Sequence, residues 1–504
     1  MAKLVFHAGY LLVFFATFLK VSAAVAASKP NIIFILTDDQ DVQLQGMTPM
    51  TKTLDLLGKN GMTFQNMFTV SPLCCPSRSS ILTGNYVHNH EAYNNSISGN
   101  CSSTTWQQGP EQNTFATQLK SQGYKTFFAG KYLNQYGDPK VGGPEHIPPG
   151  WDEWNGLIYN SVYYNYNLSV NGKLEVHKKD YHKDYLTDLI HNRSIDYLNC
   201  VSKKESPFFM MLSTPACHRP FDSAPQYMKN FTTKKAPRDK AFNTQAKNKH
   251  WLIQQAPHPM SDESLAYVDD AFQKRWRTLL SVDDMVEDIV NTLDKLKLLD
   301  STYIFFASDN GFHLGQFSLP NDKRQMYDFD IRVPLVVRGP GIKANSKSTQ
   351  PVMTIDLMPT FVHLASGTAP SNVDGQSLVP LLTPKQFTSV TWRKDMLIEH
   401  QGEYLVHGTE NCTHTEYLNE CWPFCICEDS YNNTYSCLRT ISGKDNYVLC
   451  QFSDAANFQE FYNMTADPYQ LTNDVSSLDP AYLDDLSNRL IALSVCKGST
   501  CHKT

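Results

Sequence analysis

Four short runs of apolar residues punctuate an otherwise mixed chain, and each stops in a cluster of polar side chains. They are Asn31–Thr37 (NIIFILT), Lys125–Ala129 (KTFFA), Ser206–Ser213 (SPFFMMLS) and Thr302–Ser308 (TYIFFAS). Runs of this length without period-two alternation read as strands buried on both faces, the kind found in parallel sheets covered by helices. The polar clusters that follow them are Asp38-Asp39-Gln40-Asp41, Gly130-Lys131-Tyr132, Cys217-His218-Arg219-Pro220 and Asp309-Asn310-Gly311. In open α/β sheets ligands bind beyond the carboxyl ends of the strands, so the clusters predict one site along one edge. Val333–Val337 reads as a fifth strand, closed by Gly339-Pro340-Gly341.

The clearest helical period lies in Asp283–Leu299, where Met285, Val286, Ile289, Val290, Leu293 and Leu296 share a face. Met50–Leu57, Ser77–Leu82, Asn113–Gln122, Ile355–Ala365 and Pro480–Leu493 are further predicted helices. Val141–Tyr185, rich in Gly, Pro, Tyr and Asn, reads as irregular surface structure with a hairpin around Asn171-Gly172. Phe221–Pro259 reads as polar and irregular, its lysines solvated. The pattern shifts near Pro380–Ser389. It predicts an α/β unit over residues 28–385, with a large central mixed, mostly parallel sheet flanked by helices. A smaller Cys-rich α+β unit follows over 386–504, with a small antiparallel sheet and a closing helix.

Composition narrows the class. The chain has 504 residues and a net charge of -6, with no clustered basic stripe, which argues against a nucleic-acid partner. Lys3, the apolar run Leu11–Leu19 and Ala24-Val25-Ala26 read as a cleaved signal peptide over residues 1–27. That run is too short for a typical membrane span, and no later stretch is long and apolar enough. The protein is therefore expected in the secretory route, in the lysosome or outside the cell. Thirteen cysteines suit that oxidising compartment. An odd count leaves at least one thiol unpaired. Cys412, Cys421, Cys425, Cys427, Cys437 and Cys450, with Cys496 and Cys501, read as disulfides rather than a zinc site. Sequons at Asn94, Asn100, Asn167, Asn192, Asn230, Asn411, Asn432 and Asn463 predict a glycoprotein.

The candidate chemistry centres on Ser71–Gly84, SPLCCPSRSSILTG, which contains C-x-P-S-R at Cys74–Arg78. If a helix starts here, its amino terminus favours anions beside Cys74. Taken with Asp38-Asp39, Gly130-Lys131, His218, Asp309-Asn310-Gly311 and Lys323 in that order, the chain resembles the sulfatase family over nearly its whole mature length. The likeness is greatest to the branch acting on 6-sulfated glucosamine, through FFAGKYLNQYG, TLLSVDD, DNGFHLGQFSLPNDKRQMYDFDIRVPLVVRGPGI and CEDSYNNTYSC.

The resemblance implies an alkaline phosphatase-like fold. It also implies that Cys74 is oxidised before folding to Cα-formylglycine (3-oxoalanine) by a formylglycine-generating enzyme that reads Pro76 and Arg78. The aldehyde hydrate carries two hydroxyls on one carbon. One takes the sulfate as a covalent sulfo-enzyme ester and the other releases it, which serine could not do. Asp38, Asp39, Asp309 and Asn310, with modified Cys74, would hold one divalent cation, Ca²⁺ by the lysosomal relatives. Arg78 and Lys131 would orient the hydrate, Lys323 would bind sulfate, and His218 would protonate the leaving sugar oxygen. One departure stands out: the His that many sulfatases carry after the G-K motif is replaced by Leu133 and Asn134. His88, His90 and His313 are nearby alternatives, more simply read as packing or substrate contacts.

The expected activity is removal of 6-O-sulfate from N-acetylglucosamine or glucosamine units of heparan or keratan sulfate. Two other readings compete. An endo-acting heparan 6-O-sulfatase at the cell surface would carry a long basic insertion, and none is present. A sulfatase-like glycosaminoglycan-binding protein without turnover would have lost a ligand or left Cys74 unmodified, and every expected ligand residue is in place.

Overall fold

Strand β1 (Asn31–Thr37) is buried along its whole length and lies at the middle of the main sheet. The computed structural model describes residues 29–384, 392–404, 406–409, 412–413, 415–421 and 424–502. The expected signal peptide over 1–27, the expected unit boundary at 385/386 and the sequon at Asn411 lie outside them.

Nine more strands complete that sheet. They are β2 (Met62–Phe68), β3 (Lys125–Lys131), β4 (Glu153–Leu157), β5 (Asn167–Val170), β6 (Lys173–Val176), β7 (Phe208–Ser213), β8 (Thr302–Ser308), β9 (Leu335–Arg338) and β10 (Ser346–Met353). Their order is β10-β2-β9-β8-β1-β7-β3-β4-β5-β6. The central four run parallel in register: Leu36 pairs with Ala307 and Ser213, and Ser213 with Gly130. Level carboxyl ends follow from that register, so the residues just beyond β1, β3, β7 and β8 emerge side by side.

Alternation along β1 divides its side chains between two cores. Ile33 and Ile35 pack with Leu279, Val282, Met285, Val286 and Ile289 of the helix Asp262–Lys295. Ile32, Phe34 and Leu36 pack with Phe115, Leu119, Leu357 and Phe361 on the opposite face. Each such side chain contributes about 1.5–3 kcal/mol on burial, which is why a strand apolar on both faces sits between two helical layers.

Several elements differ from the sequence reading. The long helix begins at Asp262, capped by Ser261, whose hydroxyl accepts from the Ser264 amide, and not near Asp283. Its first half is masked by charge, because buried Arg275 stands among the apolar positions Val268, Phe272 and Trp276. The expected fifth strand is present as β9 but runs antiparallel to both neighbours. Val141–Tyr185 is not simply irregular surface: it supplies β4, β5 and β6, with the expected hairpin turn between β5 and β6. Lys249 in Phe221–Pro259 is not solvated. Its Nζ donates to the Tyr462 hydroxyl (2.7 Å) and the Gln470 carbonyl (2.5 Å) among the rings of Phe317, Tyr327 and Tyr462, and burial pushes its pKa down to about 8.

The C-terminal strands are β11 (Asp395–His400), β12 (Leu418–Cys421), β13 (Cys427–Ser430), β14 (Tyr435–Ser442), β15 (Asp445–Phe452) and β16 (Gln459–Asn463). They form an antiparallel sheet, β11-β14-β15-β16, and a separate hairpin, β12-β13. The helix Pro480–Ser494 lays Leu486, Leu490 and Leu493 on that sheet. The same core takes in Phe68, Val70, Phe317 and Tyr327, so the small sheet is packed against the large one. The expected C-terminal disulfides are Cys412–Cys425, Cys421–Cys427, Cys437–Cys450 and Cys496–Cys501.

Candidate active site

The polar residues at the carboxyl edge converge on the start of the helix Cys74–Thr83. Leu73 is extended at the N-cap, Cys74 is the first helical residue, and Gly84 ends the helix in the left-handed conformation at φ +73°. This helix is fixed from three sides. Cys75 forms a disulfide with Cys101, the Cys75 amide donates to Asn95 Oδ1 (2.9 Å), and the Ser77 hydroxyl donates to the Asp309 carbonyl (2.5 Å). Cys75 is therefore not a free thiol, whereas Cys74, Cys200 and Cys217 are unpaired.

Each carboxylate beside Cys74 meets a cation. Asp38 Oδ2 accepts from Lys131 Nζ (2.6 Å), and its Oδ1 lies 3.6 Å from Cys74 Sγ. Asp39, at φ +63°, accepts from Lys323 Nζ (2.8 Å) and Asn310 Nδ2 (2.7 Å). Asp309 Oδ2 accepts from Arg78 Nε (2.7 Å), while Arg78 Nη1 donates to the Lys131 carbonyl and the Ser213 hydroxyl. His218 donates Nδ1–H to the Arg219 carbonyl (2.6 Å), which turns Nε2 toward Asp39 at 3.9 Å. Every residue singled out from the sequence as catalytic or metal-binding thus lies in one cluster.

Burial sets the electrostatics. It would raise Asp38, but Lys131, His218, Arg78 and Lys323 together outweigh it and hold that carboxyl well below its usual range. Asp309 goes the other way, pushed up to about 7 by burial and by the Asp38 charge. Burial pushes the Cys74 thiol up to about 12, so an unmodified Cys74 is no thiolate nucleophile. Burial also pushes His218 down to about 4.

The donor set fits a hard cation. Asp38, Asp39 and Asp309 each offer an oxygen within 4.8 Å of the others. Asn310 Oδ1 beside them is buried and has no hydrogen-bond partner. Three carboxylates and an amide oxygen are the ligands Ca²⁺ or Mg²⁺ takes.

A cavity of about 280 Å³ opens onto Asp39, His218 and Lys323, and its outer wall includes Arg219, Asp322, Arg324 and Glu420. The sequence reading missed several of these neighbours. Ser161 donates a short hydrogen bond to Asp38 from the stretch read as irregular. Arg275 donates to the Asp39 carbonyl (2.7 Å) and Asp41 (2.8 Å). Arg324 pairs with Glu403, Glu420 and Asp429 of the C-terminal region. Only Cys217-His218-Arg219 and Lys323 gave any local hint of such a wall.

The alternative histidines have partners elsewhere. His88 pairs with Glu399, His90 with Ser80, and His313 with Asp330 and Glu428. Asn134 is buried with no partner for Oδ1. Of the sequons, Asn192, Asn230, Asn432 and Asn463 are exposed, while Asn94, Asn100 and Asn167 are half-buried. Among the described residues no helix is long and apolar enough to cross a membrane.

Residues 30–368 match the sequence profile of the Sulfatase family. The chain is 52% identical to human N-acetylglucosamine-6-sulfatase over 95% of its own length and 87% of that protein. It is 44% identical to the Drosophila melanogaster Extracellular sulfatase SULF-1 homolog, over 74% of this chain and 33% of that one. A solved protein in complex with its substrate D-glucosamine-2-N,6-O-disulfate superposes with a TM-score of 0.74 at 25% identity, covering 92% of this chain and 97% of that one. A phosphonate monoester hydrolase from Agrobacterium radiobacter shares the fold at a TM-score of 0.65 and 18% identity, covering 92% of this chain and 95% of that one.

Proposed function

The chain belongs to the sulfatase family, and on that premise we propose that it hydrolyses the 6-O-sulfate ester of N-acetylglucosamine or glucosamine units in heparan or keratan sulfate. The named relatives support the substrate. The observation that carries the chemistry is the convergence on Cys74 of three carboxylates, Lys131 and His218 from four separate strand ends, joined by Arg78 of the Cys74 helix and by Lys323.

The reading assigns roles residue by residue. Cys74 is the residue converted to formylglycine, whose hydrate supplies a nucleophile and a built-in means of releasing sulfate. Asp38, Asp39, Asp309 and Asn310 would hold the divalent cation, taken as Ca²⁺, which would supply positive charge to stabilise the developing sulfate charge. Lys131, locked by Asp38, and Arg78, locked by Asp309, orient the group at position 74. Lys323 faces the cavity and neutralises sulfate oxygens as their charge grows. His218 presents Nε2 to the same space. Its low pKa makes its protonated form a strong donor to the leaving sugar oxygen, a step that acid conditions favour. The secretory route follows from the family and the five disulfides. Delivery to the lysosome, and a division into a catalytic unit over 28–385 and a Cys-rich unit over 386–504, complete the reading.

The test is the mass of the tryptic peptide Asn60–Arg78 after reduction and alkylation of protein from a secretory host, alongside sulfate release from 6-sulfo-N-acetylglucosamine. Alkylation at Cys75 alone, with position 74 lighter by H₂S and heavier by one oxygen, is expected together with turnover. Full alkylation at Cys74 in a host whose other sulfatases are converted would sink the reading.

A further inference from the structure

The surface beside the β12-β13 hairpin carries an aromatic platform that the reaction does not use. Trp251, Tyr404, Tyr417 and Tyr431 are all exposed. The Tyr404 ring lies 5.8 Å from Tyr431 and 6.2 Å from Tyr417. Trp251, Tyr417 and Tyr431 line a cavity of about 330 Å³, a volume in the range of small-molecule sites. An exposed apolar cluster of this kind marks a surface that something covers.

The remaining walls say what that occupant is. They are Glu416, Leu418, Ser430 and Asn432. The one charged residue on the wall is an acid, so a sulfated or uronate-bearing chain is disfavoured there. A neutral sugar, with an apolar ring face for aromatic rings and hydroxyls for the rim, suits the walls.

Asn432 is placed to carry such a sugar. It opens the sequon Asn432-Asn433-Thr434, is exposed, and makes no hydrogen bond among the described residues. Its neighbour Asn433 is buried and donates to Asp429 Oδ1 (3.0 Å) and the Arg324 carbonyl (3.3 Å), which fixes the backbone and turns Asn432 outward. The Thr434 hydroxyl donates to the Tyr431 carbonyl (2.8 Å), tying the platform to the sequon.

We propose that the first N-acetylglucosamine of an N-glycan on Asn432 sits in this cavity against Trp251, Tyr417 and Tyr431. The link is the ordinary one of the secretory route: Asn432 Nδ2 bonds to the sugar C1, the lipid pyrophosphate leaves, and the amide gives up one proton. Once tethered, the sugar meets the platform at a high effective concentration, and weak stacking is enough to hold it. The seat bridges two parts of the chain, because Trp251 belongs to the segment before the long helix while Tyr417 and Tyr431 flank the β12-β13 hairpin. That hairpin carries Glu420 to the wall of the catalytic cavity. A seated sugar therefore steadies one side of the substrate pocket, a consequence that rests on the sulfatase reading.

The experiment compares four forms of the full-length protein from a secretory host. They are the intact form, one trimmed by an endoglycosidase that leaves a single N-acetylglucosamine, one stripped after folding by an amidase that cleaves the Asn–sugar bond, and Asn432→Gln. Acrylamide quenching of Trp251, taken as the difference from Trp251→Phe, is expected to be equal in the intact and trimmed forms. It should rise about two-fold in the stripped form and in Asn432→Gln, as the ring becomes uncovered. KM for a 6-sulfated monosaccharide should rise about three-fold in those same two forms with kcat unchanged, the mark of lost pocket binding. An unoccupied Asn432, or equal quenching in all four forms, overturns the seat and leaves the platform to a substrate chain or partner protein. Quenching in the trimmed form that matches the stripped form also overturns it, by placing an outer sugar on the platform. Unchanged KM overturns the link to the pocket. Quenching does not depend on turnover, so a protein that releases no sulfate defeats the functional reading while the seat is still judged by its own result.

Discussion

The two regions of this molecule use cysteine in opposite ways. Around the ten-stranded sheet the described residues form one disulfide, Cys75–Cys101, and the C-terminal region forms four. The large sheet does not lack stability, because β1 is buried on both faces between two helical layers. The small antiparallel sheet has one helix, Pro480–Ser494, and a shared core to cover it, and cross-links suit so limited an apolar surface. The contrast shows that the lone disulfide of the main sheet serves position. It takes the thiol next to Cys74 out of circulation and fixes the first turn of the helix on which Cys74 sits.

The largest effect that would break or sharpen this contrast is expected at Cys74 itself. Cys74→Ala should lower sulfate release by at least about 10⁴-fold, because nucleophile and release step vanish together. Thermal unfolding should stay near that of the parent. Breaking Cys75–Cys101 with paired serines should cost activity about 10²-fold, the scale of a misplaced reacting group. Opening that 26-residue loop should also cost about 3 kcal/mol of stability. Breaking Cys437–Cys450 should cost a similar 3 kcal/mol or so and leave kcat within two-fold, roughly, since neither cysteine of the pair between β14 and β15 lines the catalytic cavity. Steady-state kinetics beside denaturant titration separates the two cases. If both pairs affect stability alone, the positional role of Cys75–Cys101 is wrong.

The smallest effect concerns the joint between the regions, where His313 lies between Asp330 and Glu428. Burial works against the charge on His313, but Asp330 and Glu428 outweigh it and raise the pKa from 6.5 to about 10. Burial raises Glu428 from 4.5 to about 7. Both groups bind more protons folded than unfolded, so stability falls as pH rises. The Glu428 share is lost between 4.5 and about 7, and the His313 share between 6.5 and about 10. The thermal midpoint should drop by a few degrees from pH 6.5 to 10, and His313→Gln should flatten that decline. A parent midpoint that rises over this range refutes the assignment.

The site was legible in the sequence to the extent that backbone register made it so. Strands β1 and β8 were bounded correctly because nothing polar interrupts a strand buried on both faces. Asp38, Asp39, Asp309, Asn310, Lys131 and His218 could be placed together because parallel strands end level. Residues that reach the site from a distance left no such trace. Arg275 sits mid-helix, where a charged residue ordinarily means a solvated face, and Glu420 meets Arg324 across 96 residues. Lys249 was misread for the same reason, since an aromatic cage assembled from Phe317, Tyr327 and Tyr462 exists only after folding. Strands β2 and β10 were missed because half-exposed positions break their apolar pattern.

The complete burial of Cys74 has a consequence in time. Its side chain lies at 0% exposure beneath Asp38 and the helix that begins there. If Cys74 is converted to formylglycine as proposed, no second protein can grasp it once the chain has closed over it, so oxidation and folding would run as a race decided once per molecule. A chain that folds first keeps its sulfur for life. On that reading a preparation would hold two fixed populations, one competent and one inert, that share a shape and do not interconvert. Its specific activity would then record how fast each chain was met during synthesis, and the deficit of a slow host would persist through any later refinement of purity or storage.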